Sequence, residues 1–97
     1  MATVVYSNRS LHNIERLFKF LDGDNPSAAL AAVTAIQSAI ELLSPHPLLG
    51  RRVAGDIREL IVSYGETGYI ALYRFVAARD EVRVLALRHQ RELGYFP

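Results

Sequence analysis

The sequence predicts a small α+β domain in which a helical hairpin packs on one face of a small, mainly antiparallel sheet, in the order β-α-α-β-β-β. Three observations carry this. Apolar residues recur every three or four positions between residues 9 and 43. From residue 57 they change to short runs rich in Val, Ile, Leu and Tyr, separated by polar turns. Finally, 97 residues with 51% hydrophobic content suffice for one core and one domain, residues 1–97, but not for two.

Thr3-Val4-Val5-Tyr6 is short and β-branched and reads as the first strand. Ser7 or Asn8 is placed to cap the segment that follows. There Leu11, Ile14, Leu17, Phe18 and Leu21 share one helical face, so residues 9–21 form an amphipathic helix. Asp22-Gly23-Asp24-Asn25-Pro26 breaks it. Asn25 as N-cap with Pro26 at the first helical position starts a second helix over residues 26–43. Its larger apolar residues are Leu30, Val33, Ile36, Ile40 and Leu43, and its many alanines favour helix and close packing. Ser44-Pro45-His46-Pro47 stops it, because proline removes an amide donor and restricts its predecessor.

Ile57–Tyr64 is the next strand, Gly65-Glu66-Thr67-Gly68 a turn, and Tyr69–Val76 a strand; Ala77–Asp80 turns again into Glu81–His89. Short strands with short polar turns make an antiparallel meander. The helices then cover one face and leave the other partly open. A turn centred near residue 66 sets Arg58 nearly opposite Arg74. One face would then carry Arg58, Leu60, Val62, Ile70, Leu72, Arg74 and Val76. A slip of one residue would send the two arginines to different faces. The next turn brings Arg88 and His89 beside Tyr69 and Ile70.

Charge is nearly balanced, 11 basic residues against 10 acidic, and all but one of the basic residues are arginine. The balance argues against a broad nucleic-acid surface held by charge. The arginines suit carboxylate or phosphate recognition, although surface arginines also serve as plain solvated pairs. With no cysteine there is no disulfide, thiolate metal site or thiol nucleophile. The three histidines lack metal-ligand spacing, and no phosphate loop or nucleophile elbow is present, so no metal and no cofactor is expected. No signal peptide or membrane span is read, which gives a cytoplasmic expectation with no membrane partner. Like charges facing across a sheet repel unless neutralised, which makes Arg58 and Arg74 candidates for an anionic partner. Arg88-His89-Gln90-Arg91-Glu92-Leu93-Gly94-Tyr95 is the densest polar-aromatic stretch and offers a proton carrier, guanidinium groups and a phenol.

Several pieces then resemble the RelE/ParE superfamily, the toxins of type II toxin–antitoxin pairs, over nearly the whole chain. They are Pro45-His46-Pro47-Leu48-Leu49-Gly50-Arg51, Arg58-Glu59-Leu60, Gly68-Tyr69-Ile70-Ala71-Leu72-Tyr73-Arg74 and Val84-Leu85-Ala86-Leu87-Arg88-His89-Gln90-Arg91-Glu92, in that order and spacing. The resemblance implies a growth-inhibiting toxin neutralised by a cognate antitoxin, in a possible hetero-oligomer with it. It implies one of two targets, DNA gyrase or messenger RNA on the ribosome. RNA-cleaving members usually keep an arginine just after the Gly-Tyr of the middle strand, where this chain has Ile70. Losing one phosphate stabiliser typically costs about 3–4 kcal/mol in the transition state. Ile70, the balanced charge and the strand-end His89-Gln90-Arg91 lean toward the ParE-like, gyrase-directed branch. The alternative is a variant metal-independent nuclease site from Arg58, Arg74, His89, Arg91 and Tyr95. For partner binding the candidates are Arg58, Arg74, Arg88, His89 and Arg91. A further alternative is a non-toxic binding module of a toxin–antitoxin regulatory complex.

Overall fold

The structure, a computed structural model, describes residues 1–23, 25–65, 67–92 and 94–95. Asp24, Glu66 and Leu93, which belong to the predicted turns and the C-terminal run, lie outside the described residues. The elements are β1 (Thr3–Tyr6), α1 (Asn8–Asp22), α2 (Pro26–Glu41), β2 (Arg51–Ala54), β3 (Ile57–Tyr64), β4 (Thr67–Val76) and β5 (Glu81–His89). The predicted order holds, with β2 added. The strands form one mixed sheet in the order β1-β5-β4-β3-β2. β1 runs parallel to β5 and every other pair is antiparallel.

Both helices start on the residues chosen from the sequence. Ser7 Oγ accepts from the Ser10 N–H at 3.0 Å, and Asn25 Oδ1 accepts from the Ala28 N–H at 3.2 Å. Ser7 also ties the helix to the sheet, because its hydroxyl donates to the Leu85 carbonyl at 3.0 Å. Nearly two turns on, buried Asn13 accepts from the Leu87 N–H at 3.0 Å. β1 pairs with β5 only as far as Val84, so polar side chains of α1 take over the backbone groups of β5 beyond it.

The core lies between the helices and one sheet face. Ile36, Ile40 and Leu43 meet Tyr73, Val82, Val84 and Leu87, all fully buried. Each such aliphatic side chain contributes about 1.5–3 kcal/mol of transfer free energy.

The β3–β4 register corrects the expectation. Tyr64 pairs with Thr67, Arg58 with Tyr73 and Arg74 with Ile57. Thr67 and Gly68 belong to the strand, which shortens the turn by two residues and moves the register by one. Gly65 has φ +58°, the left-handed conformation that two-residue hairpin loops require at their first position. The shift also collects Leu60, Val62, Tyr69, Ala71 and Tyr73 on the core side. A one-residue slip would turn all of them outward, so burial reinforces what the turn sets. The predicted face is therefore divided: Leu60 and Val62 point to the helices, whereas Ile70, Leu72 and Arg74 point away.

Candidate functional site

With this register Arg58 and Arg74 lie on opposite faces, and the paired-arginine surface expected from the sequence does not form. Arg58 is on the helix-covered side. Its Nη1 donates to the Gly50 carbonyl at 2.8 Å and to the Leu48 carbonyl at 3.4 Å, fixing the segment that enters β2. Arg74 is on the open side, directly across from Arg83. This juxtaposition of like charges is relieved on both sides: Arg74 Nε meets Asp56 at 3.1 Å, and Arg83 Nε meets Glu81 at 2.6 Å. The Arg74–Asp56 pair is well exposed and worth at most about 1 kcal/mol.

Of the C-terminal run, Arg88 and Tyr95 do come together on the open side. Arg88 pairs with Ile70 across the strands, as expected. Its guanidinium carbon stands 5.2 Å from the centre of the Tyr95 ring. Its Nη1 donates to the Glu92 carbonyl at 2.6 Å, while its buried Nε has no hydrogen-bond partner among the described residues. The Tyr95 hydroxyl donates to Glu59 Oε2 at 2.6 Å, and Arg51 Nη2 meets Glu59 Oε1 at 3.2 Å. Tyr95 therefore lies over the face that the helices leave open.

Glu59 and Arg51 were not singled out in the sequence. The available signal was an acidic residue inside an otherwise apolar strand, which a sheet tolerates only with partners. Glu59 is 8% exposed and has two. Burial, followed by the adjacent Glu59, pushes the Tyr95 phenol well above its ordinary pKa, so it is held as a proton donor. This group offers a carboxylate, a phenolic donor and two guanidinium ions on one side of the sheet.

His89 and Arg91 fall elsewhere. His89 pairs with Tyr69 on the helix-covered side, as expected, with the rings edge to face at 5.4 Å. Its Nδ1 accepts from the Arg91 N–H at 3.1 Å, so Nε2 carries the proton and donates to the Thr67 hydroxyl. These residues border a cavity of about 630 Å³ between the C-terminal half of α1 and the adjoining ends of β4 and β5. Leu17, Phe20 and Leu21 supply its helical wall. Arg16 Nη2 meets Glu92 at 2.9 Å at its margin.

The family model described as "ParE toxin of type II toxin-antitoxin system, parDE" matches residues 4–94. The chain is 37% identical over 92 residues to "Toxin RelE3" of Caulobacter vibrioides, covering 95% of this chain and 98% of that protein. Its fold is similar to a structure of the chromosomal ParDE system from P. aeruginosa, with TM-score 0.68, 18% identity, and 92% and 96% of the two chains covered. It is also similar to a structure of the intact E. coli RelBE toxin–antitoxin complex, with TM-score 0.68, 13% identity, and 95% and 100% covered. Among the described residues no helix is long and apolar enough to cross a membrane.

Proposed function

This chain belongs to the RelE/ParE superfamily as a toxin of a type II toxin–antitoxin system, and from that premise we propose that it arrests bacterial growth by binding DNA gyrase and is neutralised by a cognate antitoxin. The observation that supports action by binding is the dispersal of the candidate catalytic groups. Arg58 is spent on backbone carbonyls, Arg74 faces the opposite side with Asp56, and His89 is engaged at both ring nitrogens. In-line cleavage of a phosphodiester needs a base, an acid and phosphate stabilisers converging on one point. Arg58, Arg74, His89, Arg91 and Tyr95 do not converge on one such point. Ile70, on the open face, adds no cation where a nuclease of this superfamily usually has one.

A second reading has an observation of its own. Arg51, Glu59, Tyr95 and Arg88 gather a carboxylate, a proton donor and cations on the open face, and a relative carries the name RelE. That set suits ribosome-dependent cleavage of messenger RNA.

One experiment separates the two. Induction of the gene is expected to stop growth, and the purified protein is expected to abolish supercoiling by gyrase while leaving messenger RNA on translating ribosomes intact. Cut transcripts with gyrase unaffected would replace the gyrase reading by the nuclease one, and Glu59→Gln or Tyr95→Phe would then lower cleavage about tenfold or more. Unimpaired growth with verified soluble protein would leave only the non-toxic binding module.

A further inference from the structure

The cavity beside α1 plays no part in either reading of toxicity. Its helical wall is Leu17, Phe20 and Leu21, and Tyr69 lines it from the sheet. At about 630 Å³ it lies within the range of sites that take bulky apolar groups. Phe20 lines it yet remains 75% exposed, an unusual cost for a phenylalanine that nothing covers.

The charges around it are unequal. Arg16 and Glu92 cancel each other in a two-oxygen contact, at 2.9 and 3.1 Å. Arg91 is exposed and forms no ion pair with a carboxylate of the described residues. What remains among the described residues is an apolar seat with one positive charge, Arg91, that no carboxylate there meets. A nucleic acid would present a row of phosphates to a rim whose described residues offer it Arg91 alone, since Arg16 is held by Glu92, a poor match. A protein segment that places a large apolar side chain next to a carboxylate meets both features.

We infer that this cavity seats the antitoxin, taking an apolar side chain against Phe20 and Tyr69 and a neighbouring Asp or Glu on Arg91. The inference rests on the reading that a cognate antitoxin exists. It adds where that partner docks, and it places the contact on the helix-covered side, away from the Glu59 group. Neutralisation then covers Phe20 and need not consume the open face.

The absence of cysteine provides the test. Phe20→Cys introduces one thiol at the cavity rim, and Leu30→Cys introduces one on the outer side of α2, at a position 63% exposed. Each purified variant is mixed with the purified product of any small reading frame found to adjoin this gene, and alkylation by a maleimide is timed. Complex formation is followed separately by size-exclusion chromatography. The expected result is a complex in which the thiol at position 20 is slowed about tenfold or more and the thiol at position 30 reacts freely, with Arg91→Glu weakening the complex by about tenfold. A complex that leaves position 20 reactive overturns the docking site alone. No complex with either variant or with the unaltered protein overturns the antitoxin reading, and the docking site with it. Protection by gyrase or by ribosomes, with none by the antitoxin, assigns the cavity to the target instead and overturns the inference.

Discussion

The helix-covered face of the sheet is built in opposite ways at its two ends. At the Arg58 end, Tyr73 and Arg58 close the structure around the segment that leads into β2. The Tyr73 hydroxyl accepts from the Gly50 N–H at 2.8 Å and donates to the Pro47 carbonyl at 2.9 Å, while Arg58 holds the Gly50 carbonyl at 2.8 Å. At the His89 end, polar groups bond one another around a void: His89 with Thr67, and Arg16 with Glu92. The contrast follows from the backbone each end must serve. An irregular segment running against the core has carbonyls and amides that no strand satisfies, so side chains are committed to them. The opposite end is flanked by a regular helix and regular strands, and the amides left over there are met by nearby side chains, His89 N–H by Glu92 and Arg91 N–H by His89 Nδ1, so no irregular segment has to be held. Arginines that look equivalent in the sequence therefore do different work, Arg58 holding a loop and Arg91 remaining at a rim.

The closed end has least room at Gly50. A Cβ there would lie 2.6 Å from Tyr73 Cε1 and 2.7 Å from the Glu59 carbonyl oxygen. The second contact is with backbone in the middle of the sheet, which cannot swing away. Gly50→Ala should cost about 3 kcal/mol, the upper part of the range for overpacking, or prevent folding. Urea unfolding measures this, and a loss below about 1 kcal/mol would show that this end yields as readily as the cavity end.

A smaller effect is expected from Tyr73→Phe. The ring stays, but the Gly50 N–H loses its acceptor and the Pro47 carbonyl its donor. Leaving buried groups unsatisfied should cost about 2 kcal/mol. The same hydroxyl gives the closed end an alkaline limit. Burial raises the Tyr73 pKa in the folded state above the ordinary value near 10. The unfolded chain thus releases this proton first as pH rises. The stabilisation is complete below about pH 10 and is lost as pH climbs through the folded value. Thermal melts between about pH 8 and 11 should show less alkaline loss in Tyr73→Phe than in the unaltered chain. Tyr6, Tyr69 and Tyr95, shifted in the same direction, keep the remainder.

Much of this architecture was legible because its causes are local. Ser7 and Asn25-Pro26 announce the helix starts, and the β-rich runs announce three of the four C-terminal-half strands. β2 escaped because all four of its residues are exposed, and a register shift between Arg52 and Ala54 erases any alternation. The β3–β4 register escaped because Thr67 and Gly68 look like turn residues, whereas pairing continues through them to Tyr64 and Ser63. That single misplacement decided the fate of the proposed Arg58–Arg74 surface. Glu59 escaped for a different reason: its partner Tyr95 is 36 residues away and meets it across the sheet face, a contact that no local pattern announces. Asn13, likewise, reads as a surface residue of an amphipathic helix until Leu87 is found beside it.

The smallest stability effect is expected at Phe20. If the cavity end is a seat awaiting a partner, Phe20 contributes little to the isolated fold, because most of its ring is already in water. Serine and phenylalanine also have similar helix propensities. Phe20→Ser should then unfold within about 0.5 kcal/mol of the unaltered chain, as surface substitutions usually do. The same change should weaken the antitoxin complex severely, since a rim aromatic that is exposed alone is buried only in the complex. A stability loss of about 2 kcal/mol or more would instead place Phe20 in the fold's own packing. The two ends of the face would then differ in degree of packing rather than in purpose.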